Sequence, residues 1–363
     1  MPPKENKNLN SSERELVELE KEILKLVDRR LSIVKKRAEE QPVPHAEGED
    51  ESLVAELNRL LQEVGAEDKT LLSDTAARNI FREIWAAEKS LLTPTTIAFL
   101  GPEATFTHQA AVQYFGRSVE YMEQPRIADV FETVSRGKAA YGVVPIENTT
   151  EGSVTHTLDM FMDADLRITA EINMPIHHCF LSRHGKDEVD VVYSHTQVFG
   201  QCRQWLTKNL PRAKMVELAS TTEAAERCAR EERAAALASA IAGDKYGLPV
   251  KEENIEDYAG NTTRFFVLGK QETPPTGDDK TSLLMVIRDR VGALYDSLLP
   301  FRGHGINLSF IQSRPSKQRK WEYCFFVDFA GHRQESHVKE VLEELEEYCR
   351  ELRILGSYPR ARD

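Results

Sequence analysis

The chain has 363 residues, 40% of them apolar and 29% charged, with a formal net charge of -12. That length accommodates two or three domains of an ordinary soluble protein. The acidic balance argues against nucleic acid as a partner, because phosphate backbones need a basic face.

After a polar start without an apolar signal-like run, Ser11 and Ser12 are suitable caps for a long helix. Leu16, Leu19, Ile23, Leu26, Arg30 and Ile33 recur at alternating spacings of three and four, an a/d-type stripe. Arg30 occupies a position in that stripe where an apolar residue is expected. A cation there is compatible with an anion pocket, and equally with a snorkelling side chain whose head stays in water. Gln41 to Asp50 is a breaker-rich connection. Helical patterns follow at Glu51 to Val64 and at about Leu72 to Leu92. Such an all-α unit buries little core alone, and pairing with a second copy would solve that problem.

Beyond Thr93-Pro94-Thr95 the pattern changes to strands alternating with helices. Strands are expected at Thr96 to Leu100, Ala139 to Val144, Leu166 to Glu171, Cys179 to Leu181, Val189 to Tyr193, Lys214 to Leu218 and Ala234 to Leu237. Helical stretches lie at Ile127 to Arg136, Gln197 to Asn209, Thr222 to Glu231 and Ser239 to Tyr246. This alternation predicts an α/β domain with a largely parallel sheet and ligands at the carboxyl ends of strands. Polar clusters fall at those ends: Gly101 to His108, Pro145 to Ser153, Ser194 to Gln197, and Ser220 to Thr222. Each cluster alone reads as helix capping, whereas the set together fits a small polyanion.

Asn261-Thr262-Thr263-Arg264 opens the apolar run Phe265-Phe266-Val267-Leu268, a buried strand ending at Gly269. Thr263 offers a hydroxyl to a leaving oxygen, and the planar fork of Arg264 suits a carboxylate. Pro274 to Asp279 reads as a linker. Strands at Thr281 to Ile287, Ile306 to Gln312, Tyr323 to Phe329 and Ile354 to Tyr358, with helices at Ala293 to Gly303 and His337 to Glu351, give a ferredoxin-like βαββαβ arrangement. Cys179, Cys202, Cys228, Cys324 and Cys349 form no C-x-x-C pair, so reduced thiols are expected, in a cytoplasmic protein with no membrane span.

Several of these blocks resemble a known family. Gly101-Pro102-x-x-Thr105-Phe106-Thr107, Val144-Pro145-Ile146-Glu147-Asn148, Tyr193-Ser194-His195 and Thr263-Arg264-Phe265 are similar to the signature blocks of prephenate dehydratases. Gly292-Ala293-Leu294 and Ser313-Arg314-Pro315 resemble the two motifs of the phenylalanine-sensing ACT domain. The helical N-terminus resembles, more weakly, the chorismate mutase domain of bifunctional enzymes. This resemblance implies a helical domain over 11–92, a bilobal dehydratase domain over 95–271 of the type II periplasmic-binding-protein kind, and an ACT domain over 280–359. It also implies the conversion of prephenate to phenylpyruvate, water and CO2, with no metal or organic cofactor.

By the same resemblance, Thr263 is the donor to the departing oxygen and Arg264 the carboxylate ligand. Asn148, Ser194 and Gln201 line the site, with Thr105, Ser153, Gln197 and Phe265 alongside. L-phenylalanine is expected between two ACT units of a homodimer or homotetramer, at Gly292, Ala293, Leu294, Asn307, Leu308, Ser313, Arg314 and Pro315. Gln312 stands where the family usually has Glu. His195 follows a strand and is a residue type suited to general acid chemistry, but aromatisation needs no strong base, and a structural role is expected.

The mutase-like part departs from its family. Arg30, or its neighbour Arg29, matches the first-helix arginine, yet Glu88 falls where a small hydroxyl residue is usual and Leu92 where Gln or Glu is usual. The expectation is a weak or inactive mutase, with full bifunctionality (chorismate as a second substrate) as the alternative. A solute-binding sensor is the non-enzymatic alternative.

Overall fold

The computed structural model describes residues 11–40, 59, 73–92, 95–288, 290–316 and 323–361. The expected second helix, Glu51 to Val64, and the connection before it lie outside the described residues, apart from residue 59 within a helix. The chain divides into two compact units, one running to Thr95 with Phe115–Glu120, the other holding the remainder.

In the first unit, Ser11–Glu40 is one uninterrupted helix, in keeping with a segment free of Gly and Pro. A second helix, Asp74–Leu92, is capped by Ser73, whose hydroxyl accepts from the Ala76 N–H at 3.2 Å. Leu16, Leu19, Ile23, Leu26 and Ile33 are each half or more exposed. The predicted apolar stripe therefore exists but is left largely uncovered by the described residues.

The second unit begins as a lobe with strands β1 (Thr96–Leu100), β2 (Glu120–Gln124), β3 (Tyr141–Asn148), the short β4 (Gly152–Ser153) and β5 (Arg167–Pro175). The chain then builds a second lobe from β6 (Cys179–Leu181), β7 (Val191–Ser194), β8 (Lys214–Glu217), β9 (Ala234–Ala238) and β10 (Val250–Glu252). It returns as β11 (Thr262–Gly269), which enters the first sheet between β3 and β5, giving the order β2-β1-β3-β11-β5. The second sheet runs β10-β6-β9-β7-β8.

The largely parallel sheet expected from the sequence is corrected here. The pairs β1/β3, β7/β8 and β7/β9 are parallel, but β11 is antiparallel to both neighbours and β6 to β9. Local alternation of strands and helices cannot reveal that a late strand re-enters an early sheet. That return places β11 inside the first sheet, where Phe265, Phe266, Val267 and Leu268 are almost fully buried.

The C-terminal part folds as β12 (Asp279–Ile287), helix Ala293–Gly303, β13 (Leu308–Pro315), β14 (Tyr323–Ala330), helix Ser336–Tyr348 and β15 (Cys349–Pro359). Its antiparallel sheet has the order β13-β14-β12-β15, as the βαββαβ pattern predicts. One face of this sheet packs on its own helices. The other shares a core with the first lobe, where Leu284, Val286, Phe326, Leu355 and Tyr358 meet Val144, Phe161 and Phe266.

The junction is tight at Gly356, where an added Cβ would lie 2.2 Å from the Ile168 carbonyl oxygen. Backbone cannot yield as a flexible side chain does. Gly356→Ala should therefore cost about 3 kcal/mol, the upper part of the overpacking range. Thermal unfolding should fall by roughly 5–10 °C for a body of this size; an unchanged midpoint would show that the sheets are free to separate.

Candidate active site

On β11 successive side chains point to opposite faces, and this pleat separates the two residues expected to act together. Arg264 turns towards the C-terminal sheet. Its Nε donates to Glu171 at 2.7 Å, Nη1 to Asp328 at 2.6 Å and Nη2 to the Tyr358 hydroxyl at 3.0 Å. The guanidinium also lies 4.8 Å from the Phe266 ring centre. Lys280 pairs with Glu171 at 2.8 Å, and Ser282 donates to Asp328 at 2.6 Å.

The expectation from the sequence is that Arg264 binds a substrate carboxylate; here its guanidinium faces protein groups instead. Two of its nitrogens donate to buried carboxylates and the third to a buried tyrosine hydroxyl. Burial alone would push Glu171 up and Arg264 down, yet their mutual attraction, with Lys280, Asp328 and Tyr358, holds Glu171 low and Arg264 high.

Thr263 faces the other way, into a chain of amides. Asn148, opposite it on β3, accepts at Oδ1 from the backbone N–H of Thr150 at 2.9 Å and of Glu151 at 3.1 Å. This Asx-type turn fixes the Asn148 amide, since the flipped form would set NH2 against those two donors. Asn148 Nδ2 must therefore donate, and it reaches Thr263 Oγ1 at 2.8 Å and Asn261 Oδ1 at 2.7 Å. Thr263 is the acceptor in its bond. Among the described residues no acceptor takes its own hydroxyl proton.

The chain of amides continues to the second lobe. Asn261 Oδ1 also accepts from Thr150 Oγ1 at 3.3 Å, so Asn261 Nδ2 faces Gln201 Oε1, at 3.5 Å. His178 Nε2 lies 2.7 Å from the same Gln201 oxygen. Asn261 and His178 stand where the chain crosses between lobes; there Ile176 N–H donates to Asn261 O and Ile255 N–H to His178 O. Neither was a candidate from the sequence. His178 is indistinguishable locally from its neighbour His177, yet His178 is 1% exposed, whereas His177 sits at the surface with Glu256.

The other expected residues are engaged elsewhere. Thr105 accepts from His108 N–H and donates to Leu100 O, a helix-capping arrangement. Ser194 is fully buried and donates to Leu237 O at 2.8 Å. Gln197 donates to Glu151 across the lobes. Ser153 donates to Gln312 of the C-terminal sheet at 3.0 Å. Phe265 is core. His195 caps the helix Thr196–Gln201, accepting from Gln197 N–H. Hydrogen bonds thus link Thr263 to Asn148 and, through Asn261, to Gln201, while the other expected residues bond to different partners.

In the C-terminal part, Gly292 takes φ +79 at the start of the helix Ala293–Gly303, a left-handed conformation that favours glycine. Leu294 is partly exposed beside it. Asn307 accepts at its carbonyl from Ala330 N–H, and Leu308, Ser313, Arg314 and Pro315 lie along the edge strand β13. Arg314 forms a two-pronged pair with Asp159 of the first lobe, both bonds 2.9 Å. In the N-terminal unit, Arg30 donates to Glu88 at 2.5 and 3.3 Å.

Residues 97–273 match the family described as Prephenate dehydratase, and residues 281–347 match the ACT domain. The crystal structure of the prephenate dehydratase from Arthrobacter aurescens, in complex with L-Phe, is similar with a TM-score of 0.69 and 34% identity. That similarity covers 74% of this chain and 90% of the other. Fold and sequence define the catalytic class, a prephenate dehydratase carrying an ACT domain. The bifunctional chorismate mutase/prephenate dehydratase of Aquifex aeolicus is 42% identical over 359 residues, 97% of this chain and 98% of that protein. Its Pseudomonas aeruginosa counterpart is 43% identical over 296 residues, 81% of each. The chain belongs to the family of bifunctional chorismate mutase/prephenate dehydratases.

Proposed function

We propose that dehydration runs at Thr263, with Asn148 and Gln201 as its immediate polar company. The observation that carries this reading is the direction of the Asn148–Thr263 bond, which leaves the Thr263 O–H available as a donor. Loss of the ring carboxylate as CO2 sends an electron pair into the ring, and the ring C–O bond breaks as aromaticity is gained. The dianion yields a phenylpyruvate monoanion, CO2 and water, so one proton is taken up overall. Threonine is far too weak an acid to be the net source. Its hydroxyl stabilises the developing hydroxide as a fixed hydrogen-bond donor, and the net proton is taken up from the buffered solvent. With Arg264 turned away, carboxylate recognition falls to amide NH2, hydroxyl and backbone N–H groups of the cleft.

Phenylalanine acts as the feedback ligand in this reading, at Gly292 to Leu294 and along β13, between ACT units of a homodimer or homotetramer. The L-Phe complex of the Arthrobacter relative supports it. So do the contacts of Gln312 with Ser153 and of Arg314 with Asp159, which give β13 a direct hold on the short strand β4, paired with the end of β3 at Asn148, and on the helix Thr155–Phe161 that follows it. The domain limits are proposed as 11–92, 95–271 and 280–359, and the location as cytoplasmic, in keeping with five free, buried cysteines.

The N-terminal unit is proposed to be weak or silent as a mutase. Glu88 neutralises Arg30, the cation that a dianionic substrate would need. Supplying the full-length protein with prephenate and chorismate in separate reactions tests both readings. Phenylpyruvate from prephenate with chorismate untouched is expected. Rapid consumption of chorismate would make the protein fully bifunctional, and inert prephenate would overturn the site reading.

A further inference from the structure

We propose that His178 is a positioning residue for the dehydration: its Nε2–H holds the Gln201 amide so that the NH2 group faces a substrate carboxylate. The proposal rests on the reading above that Gln201 lines the substrate site. It follows from the same conservation of donors and acceptors that fixes Asn148. Asn148 donates to Asn261 Oδ1, so Asn261 presents NH2 to Gln201. Gln201 must then turn its carbonyl towards both Asn261 and His178, and His178 Nε2, 2.7 Å from that oxygen, must carry the proton. What remains of Gln201 is its NH2 group, which has no partner among the described residues.

The joint between Asn261 and Gln201 is the long one, at 3.5 Å. His178 supplies the short bond that decides the amide's orientation. Without it, the Gln201 carbonyl is free to turn towards the carboxylate and repel it.

A purely structural role does not account for His178. The ring is 1% exposed and packs edge-on against Phe106, with centroids 5.6 Å apart. Its Nδ1 is buried without a partner among the described residues. An unsatisfied buried acceptor costs stability, and an apolar ring of similar volume would avoid it. Burial lowers the imidazole pKa, against the opposing pull of Gln201 and Glu256 and with the help of His177. The ring is therefore neutral near pH 7, with its single proton on Nε2.

The test uses the full-length enzyme with prephenate and four variants: His178→Phe, His178→Gln, Gln201→Ala, and the His178→Phe/Gln201→Ala double. His178→Phe should lower kcat/KM on the order of 10- to 100-fold, mainly through KM, as expected for an orienting bond to a charged ligand's partner. His178→Gln, whose amide NH2 sits near the Nε2 position, should restore most of it. The double variant should be no worse than Gln201→Ala, because the two residues act as one unit. The melting temperature of His178→Phe should stay level or rise while activity falls.

If His178→Phe turns over prephenate normally while Gln201→Ala is impaired, the positioning role is wrong. Equal impairment of His178→Phe and His178→Gln would overturn it too, leaving only a packing role. A fully active Gln201→Ala would instead remove the substrate reading of Gln201, and the proposal with it. Should His178→Phe fold poorly, His178→Asn takes its place, since its donor lies near Nδ1 and cannot reach Gln201.

Discussion

Thr263→Val is expected to lower kcat for prephenate by on the order of 10²- to 10³-fold, the usual loss when one preorganised donor to a developing oxyanion is removed. KM should change little, because the bond strengthens as hydroxide departs and contributes less to the bound ground state. Valine keeps the shape of threonine on a strand, so β11 should stay in place and the melting temperature should hold. Thr263→Ser should recover much of the rate, since it keeps a hydroxyl within reach of Asn148. Steady-state kinetics at pH 7 on the three proteins are enough. A Thr263→Val enzyme within threefold of the parent would move the leaving-oxygen contact elsewhere in the cleft.

Arg264→Met should act on folding first. Removing the guanidinium leaves Glu171 and Asp328 buried with reduced compensation, a change that costs about 3–5 kcal/mol. The side chain is only 11% exposed, so solvent screening offsets little of this. Because Arg264 joins β5, β11, β14 and β15, the loss should appear as a lower unfolding midpoint and looser packing of the ACT sheet on the first lobe.

The pH dependence has a definite sign. The folded pKa of Glu171 lies below its ordinary value. Its contribution is therefore complete above about pH 5, where the unfolded carboxylate is ionised, and is lost as pH falls through the lower folded value. Without Arg264, burial is opposed mainly by Lys280, so acid sensitivity should begin at a higher pH. Urea midpoints at pH 7 and pH 5 measure both effects. Unchanged stability with a large rise in KM would instead return Arg264 to the substrate.

The Ser153–Gln312 bond changes how the substitution at 312 is understood. A glutamate there would also accept from Ser153, so this contact by itself does not require glutamine. What glutamine adds is a donor, and it is used on the Ser313 carbonyl at 3.2 Å.

Much of this protein was legible in its sequence. Strand and helix patterns along 96–359 located most elements, because period-two runs bounded by Gly, Pro and polar caps report local burial. The capping readings were sound for Thr105 and His195, whose hydrogen bonds are local. Thr263 and Asn148 stood out because their motifs are short and chemically loaded. The contacts of Arg264 were not legible in the sequence, because a one-dimensional motif joins neighbours that the pleat sends to opposite faces. Which face carries chemistry depended on Glu171 and Asp328, far away in sequence. Asn261 stood out only as the start of the Thr263 stretch and His178 had no local signal at all, since their contacts arise where the chain crosses between lobes.

The sequence alone determined the elements, their order and the residue types available for chemistry, all of which follow from local periodicity and capping. Only the tertiary structure decided that β11 returns antiparallel beside β3. That pairing brings Asn148 to Thr263 and commits Arg264 to the ACT sheet, since hydrogen-bond direction and charge neutralisation are settled between residues roughly a hundred positions apart.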